Sequence, residues 1–145
     1  INDFSGLPHR QEVVRKIKKT LFINDSKATN IESSVPALKS FKNIYWICGG
    51  ITKSKDMRVA IPYLKNVKKI FIIGLEKKIF FDAFEEVAEI VYVKNMNSAV
   101  QISYLNAKKD NQHASIILSP AAASFDQYKN FETRGNAFKR IVSNL

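Results

Sequence analysis

From Ile44 onward the chain alternates short apolar runs with segments of helical period, and this pattern limits its fold more than any other feature. The segments span Ile44 to Cys48, Ala60 to Leu64, Lys69 to Ile73, Phe80 to Val87, Ile90 to Val93, Ala99 to Ala107 and Ser115 to Leu118, and an amphipathic stretch from Phe131 to Leu145 closes the series. Strands that are apolar throughout are buried on both faces. Strands separated by helical crossovers run parallel, because each crossover carries the chain back to the end it started from. The expectation is an α/β fold: a mostly parallel open sheet with helices on both faces, Rossmann-like in type.

Ahead of this pattern, Glu12 to Ile17 and Thr20 to Asn24 are β-prone stretches split by Lys18-Lys19, which predicts an N-terminal β-hairpin. Between Ile31 and Phe41 the apolar positions Ile31, Val35, Leu38 and Phe41 keep helical spacing, so a helix is expected there despite Pro36. Residues 1–8 read as a lead-in and residues 9–145 as one domain, since 145 residues with a 46% hydrophobic share can enclose a single core.

The chain carries 23 Lys+Arg against 13 Asp+Glu, a formal +10 that attracts polyanions without identifying one. Arg15 to Lys19, Lys65 to Lys69 and Lys77-Lys78 hold much of the excess and read as solvated turns and exposed faces. Neither an aromatic stacking signature nor a helix-turn-helix accompanies them, so no specific nucleic-acid partner is expected. The one cysteine, Cys48, reads as a small buried hydrophobe, and no Cys/His spacing fits a zinc site. That usage fits a reducing, cytoplasmic setting. There is no signal-like N-terminus and no apolar run near the roughly 20 residues a bilayer span needs, so neither secretion nor membrane insertion is expected. A monomer is the expected state.

In open α/β sheets ligands gather beyond the carboxyl ends of the strands. Three polar or glycine-rich stretches fall there: Asn24 to Asn30, Gly49 to Lys55, and Ser119 to Asp126. Asp25, Lys27 and Thr29 alternate, so in an extended segment they share a face; alternatively Thr29 with Glu32 forms a helix capping box. Gly49-Gly50 allows backbone geometry closed to other residues. Lys53 is a cation four residues or so past a strand, with Lys55 a competing neighbour. Ser124 reads either as an anion contact near a helix start or as a helix cap, and Phe131 as a site residue or a core filler. Arg10 is a surface arginine or one that reaches across a cleft. His9, after a proline, reads as structural, and Asp126, Lys129, Glu132 and Arg134 as charged surface.

Gly6-Leu7-Pro8-His9-Arg10, Asn24-Asp25-Ser26-Lys27-Ala28-Thr29-Asn30, and the run SPAAASFDQYKNFETRG from Ser119 to Gly135 occur in an order and spacing that cover nearly the whole chain. Together they resemble the C-terminal domain of the Mur ligase family. The SFDQYKNF portion points to its D-glutamate-adding branch rather than to a branch for another amino acid. A stand-alone anion-binding module is the reading from a different class.

The resemblance implies an ATP-dependent amide-bond-forming ligase of peptidoglycan precursor synthesis, using D-glutamate, ATP with Mg2+, and UDP-N-acetylmuramoyl-L-alanine. It implies Thr29, Lys53, Ser124 and Phe131 as D-glutamate contacts and Arg10, Asp25 and Lys27 as ATP contacts, with no catalytic or metal-ligating residue in this chain. It also implies two preceding domains, one for the precursor and a central one for ATP. No G-x-x-x-x-G-K-[ST] motif occurs here: Gly49-Gly50 is followed by Ile51-Thr52-Lys53-Ser54 without an upstream glycine at the required spacing. The phosphate cradle and Mg2+ ligands are therefore expected elsewhere, and the chain alone is expected to hold no cofactor and to be inactive.

Overall fold

A computed structural model describes residues 7–145, so most of the predicted lead-in, including Gly6, lies outside the described residues. Strands β1 (Glu12–Ile17) and β2 (Thr20–Asn24) form the hairpin with the predicted bounds, and Lys18 turns it in a left-handed conformation, φ 53°. They are followed by α1 (Ile31–Ser40), β3 (Ile44–Cys48), a 3-10 helix (Met57–Asn66), β4 (Val67–Ile72) and α2 (Lys78–Phe84). Then come β5 (Glu89–Tyr92), α3 (Met96–Asp110), β6 (Ala114–Leu118) and α4 (Phe131–Ser143). The run Ala60 to Leu64 thus lies in a 3-10 helix that also contains Pro62.

The six strands are ordered β1-β2-β6-β3-β4-β5, all parallel except β1 against β2. From β2 the chain builds outward through β3, β4 and β5. Ile31 and Leu38 of α1, Leu64 of the 3-10 helix and Phe80 and Phe84 of α2 pack on Ile23, Trp46, Ile70 and Ile117 of one sheet face. Helix α3 then returns the chain across the other face, where its Val100 and α4's Phe138 meet Phe22, Ile47, Phe71 and Ile116. That return lays β6 between β2 and β3, and all five residues of β6 are buried. Because the crossovers to either side of β6 cover opposite faces, their loops diverge at the carboxyl ends of β2, β6 and β3 and leave a crevice.

Helices α1, α3 and α4 begin where asparagine side chains satisfy free backbone amides. Asn30, Asn95 and Asn130 accept from Ser33, Ser98 and Thr133 at 2.8, 2.8 and 2.7 Å. Helix α1 is continuous through Pro36, whose ring lies on the exposed side, where the carbonyl it leaves unbonded can meet water.

Candidate functional site

Parallel pairing brings Asn24 opposite Leu118 at the last rung between β2 and β6, and the amide of Asp25 continues the ladder to the Leu118 carbonyl at 2.7 Å. Asp25 and Ser119 are therefore the next residues side by side, and the Ser119 hydroxyl donates to Asp25 Oδ2 at 2.6 Å. Asp25 Oδ1 accepts from the Gln11 amide at 3.0 Å. Burial pushes the Asp25 carboxyl up to about 6, and the Ser119 hydroxyl, the Gln11 amide and the Arg10 charge oppose that rise.

Beyond Asp25 the chain does not stay extended, as a shared face for Asp25, Lys27 and Thr29 requires. Ala28 donates to the Asp25 carbonyl at 3.0 Å, closing a turn that buries Ser26 and exposes Lys27. The leading segment packs against this turn: the His9 carbonyl accepts from Lys27 N at 2.9 Å, and Asn24 Nδ2 lies 2.9 Å from His9 Nδ1. His9 is thus a buried structural residue. Arg10 is held between His9 and Gln11, both at positive φ, and lines a cavity of about 260 Å³ together with Asp25, Lys27, Ser33 and Pro36. The turn gathers Arg10, Asp25 and Lys27 at one place by a route that alternation did not foresee.

Loop stitching brings Thr29 and Lys53 of the amino acid-side candidates near each other, while Ser124 and Phe131 are held by separate contacts. Asn30, not Thr29, caps α1, so the predicted Thr29–Glu32 capping box does not form and Thr29 stays half-buried beside the cap. The first amide of α1, that of Ile31, donates to Ser54 Oγ at 2.9 Å, which sets the Lys53–Ser54 stretch against Thr29–Asn30. Lys53 is exposed; Lys55 turns away to a separate cavity with Asp56, Arg58 and Asp82, which separates the two lysines.

Gly49, at φ 120°, passes so close to β4's end that an added Cβ would lie 1.9 Å from the Ile73 carbonyl oxygen. The glycine pair thus serves close backbone packing. Ile51 and Ala123 then exchange both amide bonds, at 3.1 and 2.8 Å, and Thr52 Oγ1 donates to the Ala121 carbonyl. Ser124, next to that bridge, is buried. It opens a single turn, its carbonyl accepting from Gln127 and Tyr128, and stands seven residues before α4, so it neither caps that helix nor lies at its start. Phe131, the first residue of α4, is half-buried with its ring edge-on to His9, 6.0 Å between centroids, rather than filling the core.

The charged-surface reading of Arg134 is overturned: it is 1% exposed. Its guanidinium donates to Ser26 Oγ at 2.9 Å, the Ser26 carbonyl at 2.7 Å and the Ala122 carbonyl at 2.9 Å, while Ser26 Oγ donates to the Phe131 carbonyl. Burial lowers the Arg134 pKa to about 10, still far above neutrality, and nearby Asp126 opposes the fall. Arg134 therefore ties the turn after β2 to the loop after β6. Nothing in the spacing Glu132, Arg134 distinguishes it from a solvated pair.

The sequence model described as "Mur ligase, glutamate ligase domain" matches residues 9–122, which include the leading segment and all three strand-end loops up to Ala122. This chain belongs to the Mur ligase family. It is 43% identical over 145 residues to the UDP-N-acetylmuramoylalanine–D-glutamate ligase of Wolbachia sp. subsp. Brugia malayi, covering all of this chain and 29% of that protein. To proteins of the same name it is 37% identical in Rickettsia bellii and 41% in Rhizobium meliloti, each match covering all of this chain and 32% of the other. The chain thus spans about a third of the length of these relatives. UDP-N-acetylmuramate-alanine ligase from Thermotoga maritima superposes on 98% of the chain and 32% of its own, with a TM-score of 0.57 at 12% identity, which supports the fold.

The residues gathered here fit a phosphate group and a metal ion unequally. Arg10 and Lys27 provide cations beside a cavity, the donor type that phosphate oxygens require. Among the described residues no three Asp, Glu, His or Cys side chains converge as a metal-ligand set. No helix among these residues is long and apolar enough to cross a membrane.

Proposed function

We propose that residues 9–145 are the D-glutamate-binding C-terminal domain of a cytoplasmic, monomeric, ATP-dependent ligase. That enzyme joins D-glutamate to UDP-N-acetylmuramoyl-L-alanine in peptidoglycan precursor synthesis, and a precursor-binding and a central ATP-binding domain make up its remainder. The observation that carries the reading is the end-to-end match, at 37 to 43% identity, to proteins named for that reaction.

In this reading Arg10 and Lys27 neutralise nucleotide phosphate charge from this side of the cleft, and Asp25 orients the nucleotide beside them. The precursor carboxylate takes the γ-phosphoryl group of ATP, releasing ADP, and the D-glutamate amine attacks the carbonyl carbon of the resulting acyl phosphate, expelling inorganic phosphate and losing a proton. The Mur ligase domain holds that amine in place: Lys53 pairs with one substrate carboxylate, Thr29 and Ser124 donate to the carboxylates, and Phe131 bounds the site. Fixed placement of nucleophile and developing charge is the main source of acceleration in such a reaction. Residues outside this chain would hold Mg2+, which would add charge neutralisation on the phosphates.

The test is a coupled phosphate-release assay on the full-length enzyme with ATP and UDP-N-acetylmuramoyl-L-alanine, offering D-glutamate, L-glutamate, D-aspartate or L-alanine in turn. Turnover with D-glutamate alone is expected. Preference for another amino acid would move the chain to a different branch of the family.

A further inference from the structure

The Ser119 hydroxyl sits on the one side of Asp25 that the leading segment does not reach. Ser119 is fully buried and held at every polar atom. Its amide donates to the Ile47 carbonyl at 3.1 Å, and its carbonyl accepts from Trp46 Nε1 at 2.7 Å and from Ser34 Oγ at 3.3 Å. Ser119 Oγ lies 2.6 Å from Asp25 Oδ2 and 2.8 Å from Ser34 Oγ. A hydroxyl has one proton to give, so with Asp25 ionised the Ser119 proton points at the carboxylate, and the one Ser34 proton is shared between the Ser119 hydroxyl oxygen at 2.8 Å and its carbonyl at 3.3 Å. The side chain cannot turn elsewhere without losing these partners.

We propose that Ser119 is a positioning residue for the ligase reaction, aiming the Asp25 carboxylate at the nucleotide and stabilising its charged form. The proposal rests on the reading of Asp25 as a nucleotide-side group. Three things support it beyond that reading. Parallel register places residues 25 and 119 side by side, so the contact is built into the sheet. The carboxylate is 3% exposed, and burial without donors disfavours its charge. The other groups around it are few: the Gln11 amide from the leading segment, and Arg10 and Lys27 in the shared cavity. His9 and Glu12 are engaged with Asn24 instead. Without the Ser119 hydroxyl, Oδ2 keeps no donor among the described residues.

The experiment measures KM for ATP and for D-glutamate, and the acid limb of kcat/KM for ATP, in full-length Ser119→Ala, Ser119→Thr and Asp25→Asn enzymes. Ser119→Ala should raise KM for ATP at least fivefold while changing that for D-glutamate less than twofold, and should move the acid limb up by about one pH unit. Ser119→Thr, which keeps the hydroxyl, should restore both. Carboxyl-carbon NMR titration of Asp25 in the 145-residue chain should show the same upward displacement in Ser119→Ala, and its resolved spectrum reports that the variant is folded. An unmoved acid limb and titration, or equal changes in both KM values, overturns the positioning role. If Asp25→Asn itself leaves KM for ATP and the acid limb unchanged, the nucleotide-side reading of Asp25 is what fails, and the proposal falls with it.

Discussion

Arg134 grips both the hydroxyl and the carbonyl of Ser26, 108 residues away in sequence, at 2.9 and 2.7 Å. Its third bond, to the Ala122 carbonyl, makes one side chain the joint between the turn after β2 and the loop after β6.

Removing that joint strands buried acceptors. Arg134→Met keeps much of the volume but leaves the Ser26 and Ala122 carbonyls without their donor, at about 1–3 kcal/mol each. Urea denaturation should show a loss of about 3 kcal/mol or more, and Arg134→Lys should recover little of it, because an ammonium group cannot reach three acceptors in the guanidinium's plane. A Lys variant as stable as the parent would refute the geometric part of this account.

Asp25 should make the domain less stable as pH rises through a defined window. Its native value, raised by burial to about 6, exceeds the ordinary 3.8, so between them the native state holds a proton that the unfolded chain has released. Stability therefore falls from about pH 4 to about pH 6 and is flat above. Asp25→Asn removes the titration and should be more stable than the parent by about 3 kcal/mol at about pH 7.5, the difference closing below about pH 4. A difference that stays constant across that range would show that desolvation of the carboxylate is not its cause.

Lys53, Ser124 and Arg10 should fail at different steps of the full-length enzyme. Lys53→Ala removes a carboxylate partner and should lower kcat/KM for D-glutamate about tenfold to a hundredfold, with little change in KM for ATP. Ser124→Ala should leave acyl-phosphate formation intact, measured by borohydride trapping without D-glutamate, and impair amide formation. Arg10→Ala should reduce the trapped intermediate itself. Equal loss of trapping in Ser124→Ala and Arg10→Ala would contradict a site divided between nucleotide and amino acid.

Gly49→Ala should be among the most damaging single changes outside the site. Its Cβ would meet the Ile73 carbonyl oxygen at 1.9 Å in a backbone conformation, φ 120°, that side chains rarely adopt. A loss of about 3 kcal/mol or more, with most of the protein insoluble on expression, is the expected result. Soluble yield and denaturation midpoint close to the parent's would mean that β4's end can yield.

Local pattern carried most of the fold. The hairpin bounds were readable because Lys18-Lys19 interrupts two β-prone stretches, β3 because it is apolar throughout, and β6 because of its Ile116-Ile117-Leu118 run. What pattern could not carry was non-local. The insertion of β6 between β2 and β3 depends on which pairs of strands bury the most surface, and it is this insertion that places Ser119 beside Asp25. The helix starts at Ile31 and Phe131 were readable, but the cap was not where several capping residues compete: Thr29 and Asn30 both qualify, and it is Asn30 that caps α1 behind the turn at Asp25–Ala28. Arg134 was hidden for a simpler reason. A charged residue flanked by Glu132 on a helix reads as solvated, and its burial depends on carbonyls from two distant loops.

The amide exchange between Ile51 and Ala123 joins loops that leave different strands. Neither loop can fray alone, since opening one breaks bonds that also hold the other. In the proposed reading, a small anion arriving there would meet donors whose ordering entropy was already lost when the chain folded, so little freedom would remain to be surrendered at encounter. Discrimination among related amino acids would then reside in how long each one stays, because loops held this way would release a poor fit quickly.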